Sequence, residues 1–190
     1  TLSMTVSSIN ACMPQTAVAS FDIHVDSLPV ASAGGSATIC SNSSHIITGA
    51  YSANGDIHWT HNGDGDLIDQ NSLNPTYIAD SDDEGKLVTL LMTVTSDNTC
   101  WPQYDTAQYY INVDSLPVAI AGGSAQICSN SSHTLTGTEA YNGSISWIHD
   151  GNGTLNNSTT LNPTYVADST DEGNTVTLTM TVSSDNTCTP

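Results

Sequence analysis

The sequence repeats itself every 88 residues, and that period limits the fold more than any other feature. Thr1-Leu-Ser-Met-Thr-Val-Ser7 returns within Val88-Thr-Leu-Leu-Met-Thr-Val-Thr-Ser96 and again as Thr177-Leu-Thr-Met-Thr-Val-Ser183. Each copy runs into a polar turn and a cysteine, Cys12, Cys100 and Cys188, 88 residues apart each time. Residues 26–102 align with 114–190 without a gap, with about two-thirds of positions identical. Such a chain is an array of one supersecondary unit, stacked or strung. The repeated stretch alternates: Val88, Leu90, Met92 and Val94 on one face, Thr89, Thr93 and Thr95 on the other. Period-two alternation of residues that suit a pleated surface predicts a half-buried strand.

The rest of each repeat reads the same way. Asp-Ser-Leu-Pro (26–29, 114–117) opens it and a Gly-Gly-Ser turn (34–36, 122–124) follows, then Ile39-Cys40 or Ile127-Cys128. After Asn-Gly (54–55, 142–143), a turn signal, a strand carries Ile57 and Trp59, or Ile145 and Trp147, on one face, with the tryptophan predicted at the centre of the core. Leu-Asn-Pro-Thr-Tyr (73–77, 161–165) leads into an acidic turn, Asp80 to Gly85 or Asp168 to Gly173. A last strand buries Ala107, Tyr109, Ile111 and Val113, and its earlier copy puts Phe21, Ile23 and Val25 on the matching face. No segment has helical periodicity. The reading is all-β: tandem sandwiches of about seven strands, A to G, per repeat. Residues 1–25 are then strands F and G of a preceding repeat, 26–113 a complete repeat, and 114–190 a repeat without its last strand. Strand G of that repeat comes either from continuation of the parent chain or from residues 15–25 of another molecule; the copy of strand F at 1–7 favours continuation.

Charge narrows the partners. Nineteen acidic residues face a single basic one, Lys86, for a net charge of −18. Phosphate recognition needs clustered Lys and Arg, which excludes nucleic acid and anionic membranes as partners. No apolar run approaches the ~20 residues of a membrane-spanning helix. There is no initiator Met and no leader-like segment, the pattern of a mature product or of a window onto a longer chain. A catalytic site needs a nucleophile, base and orienting group converging in a pocket; serines and threonines are everywhere, none in a nucleophile-elbow context, so no enzyme is expected.

With Trp59…Gly63-Asp-Gly65, Asn74-Pro-Thr-Tyr77, Val88-Thr-Leu and the Ile-Cys…Cys pair in this order, the chain resembles the polycystic-kidney-disease-type (PKD-like) immunoglobulin-fold repeats of long secreted adhesins from gliding, type IX-secreting bacteria. The resemblance covers the whole chain. It departs from better-known PKD domains at Trp-Thr-His-Asn-Gly-Asp-Gly (59–65) and Trp-Ile-His-Asp-Gly-Asn-Gly (147–153), where those have Trp-Asp-Phe-Gly-Asp-Gly. It implies an extracellular, structural role: a stalk, fibre or filament that spaces or presents adhesive elements, with neighbouring repeats or copies of itself as partners. The alternative is an immunoglobulin-like module that binds glycans or cell surfaces, or that accompanies a secreted hydrolase; Trp101 with Tyr104 is its only aromatic platform, and it is not repeated. Asp-Ser/Thr-apolar tripeptides resemble the O-glycosylation pattern of such bacteria and nominate Ser27, Ser115, Thr106 and Ser169.

Two further expectations rest on the residues. Asp80, Asp82, Asp83 and Glu84, with Asp114 and Asp185 from the next repeat, gather oxygen ligands at a repeat junction in the manner that suits Ca²⁺. The histidines at 45/133 and 61/149 recur without metal-ligand spacing and are expected at strand ends. Five cysteines outside the cell should form disulfides. Pairing within a repeat, Cys40 with Cys100, would span strand B, more than ~20 Å of extended chain, whereas a disulfide tolerates about 7 Å between Cα atoms. The trailing end of one repeat abuts the leading end of the next. Cys40 is therefore expected to bond Cys188, with Cys12, Cys100 and Cys128 left for partners outside residues 1–190.

Overall fold

A computed structural model of the chain describes residues 1–9 and 16–188. They form 18 β-strands and two single turns of 3₁₀ helix, with no α-helix among the described residues. The strands are β1 (Leu2–Ser7) and β2 (Thr16–Phe21), an antiparallel hairpin; β3 (Val30–Ser32), β4 (Ser36–Cys40), β5 (Ser44–Ile46), β6 (Tyr51–Ala53), β7 (Gly55–His61), β8 (Asp66–Ile68), β9 (Thr76–Ile78), β10 (Leu87–Ser96) and β11 (Tyr104–Asp114) in the first repeat; and β12 (Val118–Ile120), β13 (Ser132–Thr134), β14 (Glu139–Tyr141), β15 (Gly143–His149), β16 (Thr154–Asn156), β17 (Thr164–Val166) and β18 (Leu178–Ser184) in the second.

In the first repeat β4-β11-β10-β7 make one sheet, β5-β9-β8 a second, and β3-β6 a two-stranded pair. Of the nine strands, two more than the seven expected, one comes from a break in the opening strand. Gly34 and Gly35 take φ of +90° and +135°, values open to glycine at no steric cost. The kink lets β3 pair with β6 while β4, past it, runs parallel to β11. A side chain at Gly34 would also collide with the backbone of Thr48 and Gly49.

The alternating face of β10 is the core. Val88, Leu90, Met92 and Val94 are buried with Tyr109, Ile111 and Val113 of β11, Trp59 of β7, Ile47, and Tyr77 of β9. Trp59 is fully enclosed, and its indole N–H donates to the Ser72 carbonyl at 3.0 Å. Both larger sheets thus supply one hydrophobic cluster.

The second repeat copies this only in part. β15 pairs with β18, and β13-β17-β16 and β12-β14 have their counterparts above. Trp147 and Tyr165 are buried. Val176, Leu178, Met180 and Val182, however, are half-buried where their first-repeat equivalents are enclosed, and β18 has β15 as its one partner strand among the described residues. Ser124-Ala-Gln-Ile-Cys128 has nearly the sequence of β4 but is exposed and irregular, because β4 owes its strand to β11. The hairpin has the reverse shape: Leu2, Met4, Val6, Val18 and Phe21 are all more than half exposed. β2 ends at Phe21, short of the Val25 expected, since β1 runs out opposite that residue.

Candidate functional site

The junction between the repeats is where sequence-nominated residues concentrate. β11 runs out of the first repeat at Asp114, and Cys40 at the end of β4 lies opposite it in the parallel register. The Ser41 amide continues the ladder onto the Asp114 carbonyl at 3.1 Å. From the second repeat, the turn after β18 folds back on the same linker. Thr187 donates its amide and hydroxyl to Asp114 Oδ2 at 3.3 and 2.7 Å, and Asn186 Nδ2 donates to the Ser115 carbonyl at 2.9 Å. Cys188 Sγ thereby lies 3.7 Å from the Asp114 carbonyl oxygen, and it is bonded to Cys40, with Cα atoms 5.4 Å apart. The expected inter-repeat disulfide is present, and the linker passes directly beneath it.

The leading edge of the first repeat has the same construction. Thr99 donates its amide to Asp26 Oδ2 at 3.3 Å and its hydroxyl to the same oxygen; Asn98 Nδ2 donates to the Ser27 carbonyl at 3.0 Å; Cys100 Sγ lies 3.7 Å from the Asp26 carbonyl. The Thr99 hydroxyl and amide hold the Asp26 carboxyl below its usual range. Cys100 is a half-buried free thiol and Cys128 an exposed one. Cys12 lies outside the described residues.

The acidic turn is a scaffold. Ser81–Asp83 forms a 3₁₀ turn capped by Asp80, whose side chain accepts from the Asp82 amide, and the reciprocal capping-box bond from Asp83 is present. Asp83 is buried. It accepts from the Tyr77 hydroxyl at 2.6 Å and from the amides of Asp64 (2.8 Å), Gly65 (3.1 Å) and Asp80 (3.1 Å). Burial alone would raise its pKa, but the Tyr77 hydroxyl and these amides outweigh it and hold the carboxyl below its usual range. Tyr77 is pushed up, by burial first and then by the Asp83 carboxylate it serves. Gly63 and Gly65 are glycines because a Cβ there would lie 2.1 Å from the Tyr77 hydroxyl and the Ile78 carbonyl, respectively. The second repeat repeats the device: Asp171 accepts from the Tyr165 hydroxyl at 2.7 Å and the amides of Asn152 (2.8 Å) and Asp168 (3.0 Å).

The carboxylates nominated for calcium are therefore dispersed. Asp83 is enclosed among protein donors, Asp80 caps its turn, and Glu84 accepts from the Leu116 amide at 2.9 Å. Asp82 is exposed. Asp114 and Asp185 do come together, lining with Gly85, Ser115 and Asn142 an open cleft of about 370 Å³ at the junction. Among the described residues no three acidic, histidine or cysteine side chains are grouped closely enough to hold a metal ion. His61 and His149 end their strands as expected, whereas His45 and His133 are the middle residues of the three-residue strands β5 and β13. His45 Nε2 is 2.9 Å from the Tyr109 hydroxyl, and His61 and His149 lie edge-on to Tyr77 and Tyr165. Of the residues nominated for glycans, Ser27, Thr106 and Ser169 are exposed and Ser115 is half-buried.

Two sets of residues with structural work were missed in the sequence. One is Asn98-Thr99 and Asn186-Thr187, which seat the turn on the linker; the signal was the identical Ser-Asp-Asn-Thr-Cys at 96–100 and 184–188. The other is the Tyr77–Asp83 pair, visible only as a tyrosine and aspartate kept six residues apart in both repeats.

The fold and site define an all-β chain whose two sequence repeats are joined covalently at their junction. No family model matches the chain, and no match was found among curated proteins.

Proposed function

We propose that the chain is a segment of an extracellular stalk or fibre, built of PKD-like immunoglobulin sandwiches, that spaces or presents adhesive elements. The observation that carries this reading is the Cys40–Cys188 bond. It spans 148 residues of sequence and ties the end of β4 in one repeat to the last turn of the next. A force applied to the chain ends then passes through the bond, and residues 41–187 are shielded from it. The two larger sheets sharing one core, with a strand that changes partner at Gly34-Gly35, are what a sandwich of this kind needs. The bond belongs to an oxidising compartment, in keeping with a secreted chain.

Single-molecule extension tests this. Pulled from its ends, the oxidised chain should release only the residues outside the bond. Reduction should add about 500 Å of contour, from 148 residues at about 3.5 Å each. Equal contour lengths before and after reduction would remove the mechanical reading.

A second reading has one observation in its favour. Trp101 and Tyr104 are 70% and 67% exposed beside the turn at the leading end of the first repeat, and stacked aromatics are how glycan-binding modules hold sugar rings. Glycan-array binding that Trp101→Ala abolishes would favour it; no binding by either form would leave the stalk.

A further inference from the structure

The two repeats are joined more firmly along the chain than across it. Among the described residues every sheet belongs to one repeat, and no strand of one pairs with a strand of the other. Two covalent links cross the junction, the Asp114–Ser115 peptide and the Cys40–Cys188 bond. Cys188 Sγ lies 3.7 Å from the Asp114 carbonyl oxygen, so both links pass through one spot. We propose that this spot is the pivot of a hinge: the junction cannot lengthen but can bend, and Glu84 limits the bend by holding the Leu116 amide. This extends the stalk reading to the way the stalk moves, and rests on it only for its biological setting.

Most of the hydrogen bonds at the junction lie at the pivot itself. Ser41 donates its amide to the Asp114 carbonyl at 3.1 Å, and Thr187, next to Cys188, donates to the Asp114 carboxylate. Bonds this close to a pivot have almost no lever arm and resist turning weakly. Asn186 and Asn142 fasten the Ser115 and Leu116 carbonyls, but to the second repeat, which those residues already lead into. Glu84 is placed differently. From the end of the first repeat's acidic turn it accepts from the Leu116 amide at 2.9 Å, two residues past Asp114 and so up to about 7 Å from the pivot.

Beside that bond is room to swing. The open cleft of about 370 Å³ has Gly85, Asn112 and Val113 of the first repeat on one side and Asn142, Gly143 and Asp185 of the second on the other. A Cβ on Gly85 would meet a single heavy atom within 4 Å, Ser115 Oγ at 3.5 Å. Domains in one chain move relative to each other unless a large apolar interface locks them, and Val113 is the one apolar side chain lining this cleft. Closing it brings Asp185 toward the turn that carries Asp80, Asp82 and Glu84, while the nearby Lys86 is already engaged by Asp64 at 2.9 Å. Like charges therefore hold the hinge open, and salt relaxes it. The seat is the same with a last strand beside it. The first repeat has β11, and there Asn98, Thr99 and Cys100 hold the Asp26 linker by the bonds that Asn186, Thr187 and Cys188 make at Asp114. A hinge of this kind recurs with the 88-residue period, and the stalk bends at each junction without lengthening.

Single-molecule energy transfer across the junction tests this on the full chain with Cys40–Cys188 intact. Cys12, Cys100 and Cys128 are replaced by serine. Dyes are attached at Asp56→Cys, exposed at the leading end of β7, and at Ile148→Cys, 64% exposed at the trailing end of β15. The distance should be broadly distributed at about 0.15 M salt and should narrow toward longer values at about 0.01 M, where the screening length grows from about 8 to about 30 Å. Asp185→Asn should shrink that salt effect. Glu84→Ala should raise the share of strongly bent molecules several-fold, the weight of one charge-assisted hydrogen bond, with circular dichroism and thermal unfolding unchanged. Glu84→Gln, which keeps the acceptor oxygen, should stay close to wild type. One narrow distance at both salt concentrations would overturn the hinge, and a Glu84→Ala distribution matching wild type would overturn the role of Glu84. Either result leaves the stalk reading standing, since the contour gained on reduction tests that separately.

Discussion

Replacing Cys40 with serine should split one thermal transition into two and lower the stability of the second repeat by about 2–5 kcal/mol. Closing a loop constrains the unfolded chain more as the loop grows, and this one spans 148 residues, near the upper end of what chain entropy gives. The effect should fall unequally. The first repeat has a closed core centred on Trp59, with Leu90, Met92 and Ile111 fully enclosed. In the second, the corresponding face of β18 is half-buried, and its junction bonds are a few exposed or half-buried contacts to Asp114 and Ser115. The disulfide holds that weaker repeat against the stronger one. Calorimetry of the oxidised chain and of Cys40→Ser should show the low-temperature transition only in the variant, and adding reductant to the oxidised chain should reproduce it. A single unshifted transition in Cys40→Ser would mean that the junction's hydrogen bonds alone couple the repeats.

That bond was legible in the sequence because it depends on spacing. The alternating face from Val88 to Val94, the central Trp59 and Tyr109, Ile111 and Val113 of β11 were legible for the same reason: burial on a strand leaves a period-two trace, and all of these are enclosed, while Ala107 of the same face is half-buried. Carboxylates leave no such trace. Asp83, Asp80 and Asp114 read as a cation site because acidic residues near one another look alike in sequence, whether they face water, an ion or a row of amides. Their actual partners are largely backbone N–H groups of Asp64, Gly65, Asp82 and their neighbours, together with the Thr187 hydroxyl. The backbone amide is common to nearly every residue, so it cannot mark its own place in a pattern. The broken opening strand was missed on similar grounds. Gly34-Gly35 signalled a turn, but the change of partner from β6 to β11 depends on which edges are free in three dimensions.

Asp83→Asn is expected to cost the first repeat about 3 kcal/mol, the scale of a hydrogen bond to a charged group lost in a buried site. The carboxylate takes four donors with two oxygens. An amide keeps one acceptor oxygen and turns an NH₂ toward N–H groups that have nowhere else to go, since the turn they belong to is pinned by the close approach of Gly63 and Gly65. Tyr77→Phe should cost less, because it removes one donor and leaves the carboxylate three amides. Asp82→Thr, the residue its counterpart Thr170 carries, should be close to neutral at an exposed position. The pH dependence follows from the same contacts. Asp83, Asp171, Asp26, Asp80 and Asp168 all have folded pKa values below the ordinary one. The unfolded chain therefore binds more protons in acid, and the stability these groups contribute is present above about pH 4 and is lost as pH falls through their folded values. Tyr77 and Tyr165 are shifted upward. Past about pH 10 the unfolded chain releases their protons first, and stability declines again. Urea titrations of the first-repeat transition across this range should show wild type losing stability steeply below pH 4 and Asp83→Asn losing it less steeply from a lower plateau. Parallel acid limbs for the two proteins would mean that Asp83 is not ionised in the fold, and the buttress beneath the Gly63-Asp-Gly65 turn would then be a neutral one.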